Sequence, residues 1–177
     1  MTTTHAAASP SETGTRVPLR LQLSGRPGVD RLDGAWWPQS RDIGVELADL
    51  VDHFPTEVGK VVRVVYSPPD WDLRPHHVAV EGRTLKVGSF PHDDTHQVTL
   101  RLADHAVLQL LVVPPNSSTE HGEKAMRAAS TTGNRHTAAD LLNLVSEDEH
   151  VDAGGHWRDD GGSWWTAAGT RASGPTD

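Results

Sequence analysis

Val78-Ala79-Val80-Glu81-Gly82-Arg83-Thr84-Leu85-Lys86-Val87 reads as two alternating segments on either side of a turn. Successive side chains of a strand point to opposite sides, so Val78 and Val80 share one face of the first segment, and Leu85 and Val87 share one face of the second. The Glu81-Gly82-Arg83 connection suits a tight hairpin. Upstream, Lys60–Tyr66 places Val62, Val64 and Tyr66 on one side and Val61, Arg63 and Val65 on the other, until Ser67-Pro68-Pro69-Asp70 breaks it. Downstream, Val98, Leu100 and Leu102 alternate, and Asp104-His105 turns the chain into Val107–Val113. That last run is apolar on both sides, which predicts a central strand, and Pro114-Pro115 closes it. Leu19, Leu21 and Leu23 mark a first strand over Pro18–Leu23.

Three segments change to helical spacing. Ile43, Leu47, Leu50, Val51 and Phe54 recur at that period, with Glu46 and Asp49 toward the polar side. Ser40 or Asp42 can cap the first turn, and Pro55 ends it. Ser117-Ser118-Thr119-Glu120 fits a capping box before a helix over 118–131, and Thr137-Ala138-Ala139-Asp140 repeats the pattern before Leu141, Leu142, Leu144 and Val145. Strands joined by short turns pair antiparallel. The expectation is therefore an α+β domain, a mainly antiparallel sheet of about five or six strands packed against two or three helices that cover one face.

Composition narrows the function classes. The chain has 177 residues, enough for one buried core. It has no Cys, which excludes a disulfide framework, a thiol nucleophile and thiolate metal sites. Formal charge is −8, and residues 146–177 hold two basic against seven acidic residues. Nucleic acid is a poor match, because binding it needs a positive footprint. The start, Met1–Ala8, lacks the basic and apolar regions of a secretory signal, and no apolar run is long enough to cross a bilayer, so no membrane partner and a cytoplasmic setting are expected. Residues 1–16 read as a disordered tail, 17–146 as a single domain, and 147–177 as an acidic Gly- and Trp-containing tail.

The densest chemistry lies in Asp33-Gly34-Ala35-Trp36-Trp37-Pro38-Gln39-Ser40-Arg41-Asp42. An exposed indole pair could stack on a planar ligand while Arg41 clamps an anionic group and Asp33 accepts from a hydroxyl. Alternatively one Trp packs beneath the following helix, and Arg41 pairs with Asp33 or Asp42. Around the Pro68-Pro69 turn, Trp71 and Arg74 could line a groove beside that pair, or cap the sheet.

No cofactor motif is present. His92-Asp93-Asp94-Thr95-His96 is the nearest approach to a metal site. In an extended chain its two His would stand about 13 Å apart, so a solvated hairpin loop is the better reading and no metal ligand is assigned. The chain has no Gly-x-Ser-x-Gly elbow and no phosphate loop, so no catalytic residue is assigned. Trp157, Trp164 and Trp165 are costly to leave in water and could dock on the domain or on a partner.

The run Leu32–Asp42, continued by Glu46-Leu47, Arg63-Val64-Val65-Tyr66, Trp71, Leu111-Val112-Val113-Pro114-Pro115 and Ala125-Met126, resembles a family of small uncharacterised actinobacterial proteins, a domain of unknown function. The likeness spans roughly residues 17–145, with Ser89-Phe90 where that family would carry an aromatic pair. It implies no activity and no catalytic residue. Two functional classes follow from the residues. One is a non-enzymatic binding or regulatory protein using Asp33, Trp36, Trp37, Arg41, Trp71 and Arg74 to engage a protein or small ligand, marked by an open aromatic surface. The other is a small-molecule enzyme with a closed polar pocket around Asp33 and Arg41. A structural or assembly domain stands beside both.

Overall fold

The computed structural model describes residues 17–89 and 95–155, with only the backbone for 147–155. The tail at 1–16, residues 92–94 of the His92–His96 run, and Trp157, Trp164 and Trp165 lie outside the described residues. The strands are β1 (Leu21–Leu23), β2 (Gly34–Trp36), β3 (Val61–Tyr66), β4 (His77–Val80), β5 (Arg83–Ser89), β6 (Gln97–Leu102) and β7 (Val107–Val112). The helices are α1 (Ile43–Asp52), α2 (Thr119–Ala129) and α3 (Ala138–Gly155), with a 3-10 turn at Pro68–Asp70.

The hairpin forms as its sequence dictates: β4 and β5 pair antiparallel with Val78 opposite Leu85 and Val80 opposite Arg83. The rest of the sheet departs from the expected meander. Among the described residues it has seven strands in the order β1-β2-β7-β6-β3-β5-β4, and it is mixed, because β2 pairs parallel with β7 and β3 parallel with β5. The physical reason is that successive strands need not be neighbours. Residues 67–82 give β3 a crossover long enough for a parallel partner, so the hairpin docks through β5 and leaves β4 at the edge. The additional strand, β2, has three residues and too little pattern to announce itself.

Bulged pairing corrects the faces of β3. The register with β6 shifts between Val61 and Arg63. Val61, Val64 and Tyr66 therefore share the buried face and Val62 turns outward, where plain alternation had grouped Val62 with Val64. β7 is central as expected: Leu108, Leu110 and Val112 face one core while Leu111 and Val113 face another.

Those two cores lie on opposite sides of the sheet. The larger packs Ile43, Leu47 and Leu50 of α1 against one face of all seven strands. The smaller packs α2 and α3, through Ala125, Met126, Ala129 and Leu141, against Ala35, Leu111 and Val113. The helices thus divide between the faces instead of sharing one, because β2 and β7 are apolar on both sides and need cover on both.

Caps set the helix starts. The Asp42 carboxylate accepts from Gly44 N at 3.0 Å and Val45 N at 3.3 Å, and Ser118 Oγ accepts from His121 N at 3.1 Å. In α3, Thr137 Oγ1 accepts from Asp140 N at 3.1 Å, and the helix runs on to Gly155, past residue 146.

Candidate functional site

The Trp pair sits where β2 leaves the sheet, and adjacent residues of an extended segment face opposite ways. Trp36 enters the α1 core with 1 % of its surface exposed and stacks on Trp71, ring centroids 5.4 Å apart. Trp37 enters the α2–α3 core and donates from Nε1 to Pro114 O at 3.2 Å. Only glycine fits at two places here. A Cβ on Gly34, whose φ is +149°, would stand 2.1 Å from Gln22 O. One on Gly122 of α2 would stand 2.4 Å from the Trp37 ring.

Arg20, a residue the sequence did not single out, completes this junction. Its guanidinium carbon lies 3.8 Å from the Trp37 ring centroid, while Nε donates to Trp37 O at 3.1 Å and Nη2 to Pro38 O at 2.7 Å. Burial lowers its pKa from the ordinary arginine value, and the nearby Glu46 carboxylate acts in the opposite direction. Glu46 is itself 1 % exposed, contrary to its expected place on the polar side of α1. It accepts from Gln39 N at 2.9 Å and from Ser40 Oγ at 2.7 Å, so it holds the Trp37–Arg41 segment onto the helix.

Asp33 is also buried and engaged. Its carboxylate accepts from Gly28 N and from Gln109 N, the latter at 2.8 Å, which ties the loop after β1 to β7. Arg41 does not pair with Asp33 or Asp42. Its Nε donates to Asp72 Oδ1 at 2.9 Å and its Nη2 to Pro69 O at 3.0 Å, clasping the turn that carries Trp71. Arg74 is exposed and lies near the buried Tyr66 phenol. Burial raises the Tyr66 pKa above the usual tyrosine value, and a hydrogen bond with Ser89 and the Arg74 charge oppose that shift.

Of the six residues singled out in the sequence, the structure therefore brings Trp36 and Trp71 together with Arg41 beside them. Asp33 lies at the other end of β2, Trp37 on the opposite face, and Arg74 at the rim. All three described indoles are taken up by packing.

A second polar group lies at the same end of the sheet. Asp70 is buried; its Oδ1 lies 2.7 Å from His96 Nδ1, and its Oδ2 accepts from His96 N at 2.9 Å. His96, expected in a solvated loop, is pinned further by Val112 N donating to its carbonyl at 2.7 Å. The partners are 26 positions apart, so no local motif could show them. Among the described residues no group of three His, Asp or Glu could hold a metal ion.

An apolar concavity with a polar side lies elsewhere. Between α2 and α3 lies a cavity of about 590 Å³ whose apolar floor is Ala128, Leu141, Leu144 and Val145. Lys124, Asn134, Arg135 and His136 form its polar side. Asn134 is 8 % exposed; its Oδ1 accepts from His136 N at 2.9 Å and its carbonyl from Arg31 N at 3.1 Å. Its Nδ2 donor has no acceptor among the described residues. The His136 amide fixes which amide atom is the oxygen, so the free atom is a true donor. The sequence held no signal for this site beyond a polar turn between two helices.

Residues 19–129 match the model of a family described as "Family of unknown function (DUF5994)". No curated protein and no solved structure matches the chain. The match includes the α2 wall of the cavity and ends before the α3 wall.

Proposed function

The chain belongs to the DUF5994 family of unknown function, and on that premise we propose that it is a non-catalytic binding protein for a small amphipathic molecule, held in the α2–α3 cavity. The observation that carries this reading is the unpaired Asn134 Nδ2 beside an apolar floor. A buried donor without an acceptor costs about 1–3 kcal/mol, so a carbonyl or carboxylate oxygen of a ligand recovers that cost on binding. Arg135, His136 and Lys124 on the same side favour an anionic head. Leu144, 44 % exposed, is a large apolar side chain that a ligand tail would cover. The volume lies within the 300–1,000 Å³ range typical of small-molecule sites.

The Trp segment serves this function as scaffold: Trp37 packs on Gly122 and sets the seat of α2, one wall of the cavity. The binding role first read from the Trp/Arg surface is kept, and its seat moves to the cavity.

8-Anilinonaphthalene-1-sulfonate, an aromatic sulfonate, is a suitable probe. A ligand burying roughly 200 Å² of apolar surface gains about 5 kcal/mol before association costs. Leu144→Asp should weaken saturable binding at least tenfold without changing the circular dichroism spectrum. Unchanged affinity in that variant would remove the cavity as the site.

The Asp70–His96 pair supports a second reading, an enzyme in which His96 moves a proton. A buried carboxylate on Nδ1 fixes the imidazole tautomer and leaves Nε2 as the acceptor, as in a general base. Nitrogen NMR of His96 tests it: an Nδ1–H tautomer that persists in Asp70→Asn would show that the carboxylate does not set the ring.

A further inference from the structure

The α2–α3 cavity lies about ten residues before the end of the described chain. From Val145 to Gly155, α3 advances about 15 Å at 1.5 Å per residue. Residues 156–165, His156-Trp157-Arg158-Asp159-Asp160-Gly161-Gly162-Ser163-Trp164-Trp165, follow directly. The nine residues from Gly155 to Trp164 reach up to about 30 Å when extended, so the Trp pair can return along α3 to the cavity with length to spare. The chemistry matches as well. Asp159 and Asp160 complement Arg135, His136 and Lys124, while Gly161-Gly162 permits the reversal of direction. Two indole rings suit a floor of Ala128, Leu141, Leu144 and Val145, and an Asp or backbone carbonyl of the segment can accept from Asn134 Nδ2.

We propose that segment 156–165 of this chain is an occupant of the α2–α3 cavity, with Trp164 or Trp165 on its apolar floor, and that it regulates ligand entry by competing for the same site. The proposal rests on the cavity being the ligand site only for its regulatory half. A tethered segment acts at an effective concentration on the order of 1 mM. One that binds with a Kd of about 100 µM lowers the apparent affinity of a competing ligand about tenfold.

The absence of Cys makes a direct test simple. In the full chain, Ser163→Cys carries a nitroxide, and line broadening is read on the methyl groups of Ala128, Leu141, Leu144 and Val145. Docking predicts strong broadening at these methyls, lost in the Trp164→Ala/Trp165→Ala variant. It also predicts no broadening when the spin-labelled chain is mixed with a separate isotope-labelled one. Absence of broadening at the cavity overturns the proposal, as does broadening that also appears in the mixed sample, which would make a second copy the occupant. The same Trp variant, without the label, should bind 8-anilinonaphthalene-1-sulfonate about tenfold more tightly than the natural chain. Equal, measurable affinity in both chains refutes competition. If neither chain binds the probe while the cavity methyls remain broadened, docking stands and the ligand reading falls.

Discussion

Gly122→Ala probes the junction that holds the domain together. In an ordinary helix this change is favourable by about 1 kcal/mol, because glycine is the poorest helix former after proline. At Gly122 the added Cβ meets Cη2 and Cζ3 of Trp37 at 2.4 Å, and ordinary contact begins near 3.4 Å. About 1 Å of displacement is therefore needed, and the ring has little freedom to give it. Arg20 lies 3.8 Å from its centroid, and its Nε1 is bonded to Pro114 O at 3.2 Å. Overpacking of this kind costs about 1–3 kcal/mol and outweighs the helix gain. The expected net effect is destabilisation by up to about 2 kcal/mol. In a Trp37→Leu background the obstruction is gone, and the same substitution should instead stabilise by about 1 kcal/mol. Urea unfolding followed by far-ultraviolet circular dichroism measures all four chains of this cycle, which should give a coupling of about 1–3 kcal/mol. Stabilisation by Gly122→Ala in the natural background, or the same effect in both backgrounds, would refute the packing of α2 on Trp37.

Three other substitutions or titrations probe the remaining contacts. Asp33→Ala leaves the Gly28 and Gln109 amides without their acceptor and should lower stability by about 3 kcal/mol in urea unfolding. Arg41→Ala removes a largely exposed ion pair and should cost less than about 1 kcal/mol, with faster hydrogen exchange around residues 68–72. Tyr66 is the only tyrosine of the chain, so phenolate absorbance near 295 nm reports it alone. Its folded pKa is raised, so the unfolded chain loses its proton first, and stability present below the usual tyrosine pKa of about 10 is lost as pH rises toward the folded value. Reversible ionisation at the ordinary pKa in the folded chain would contradict the burial of that ring, and Tyr66→Phe should remove the alkaline loss.

Local pattern carried much of this fold. The β4–β5 hairpin, the Asp42 cap of α1 and the two-sided apolar character of β7 follow from neighbours in sequence and form where the pattern places them, while the cap of α2 falls on Ser118, one residue after the Ser117 that the capping box would use. The features that escaped depend on distant pairing. The parallel contact of β3 with β5 is decided by where a whole hairpin docks, and the bulge at Val61/Arg63 by the partner strand. The burial of Glu46 comes from the returning Gln39–Ser40 segment and the Arg20 charge, neither of which helical periodicity can register.

The candidate site divides in the same way. Trp36, Trp37 and Asp33 were legible as important because Trp and buried carboxylates are chemically conspicuous, but their roles depend on which face each meets. Arg41 took Asp72 as its partner, 31 residues away, in preference to the carboxylates beside it in sequence. Asn134 gave no signal, because an unpaired amide exists only after two helices have closed around it.

Methyl and amide NMR during a titration with 8-anilinonaphthalene-1-sulfonate tests the location of the binding site most directly. The cavity predicts saturable shifts at Ala128, Leu141, Leu144 and Val145 and at the Asn134 side-chain amide, with little change in the resonances of Trp71, Arg74 and Arg41. Shifts confined to Trp71, Arg74 and Arg41, with the cavity methyls unmoved, would contradict it.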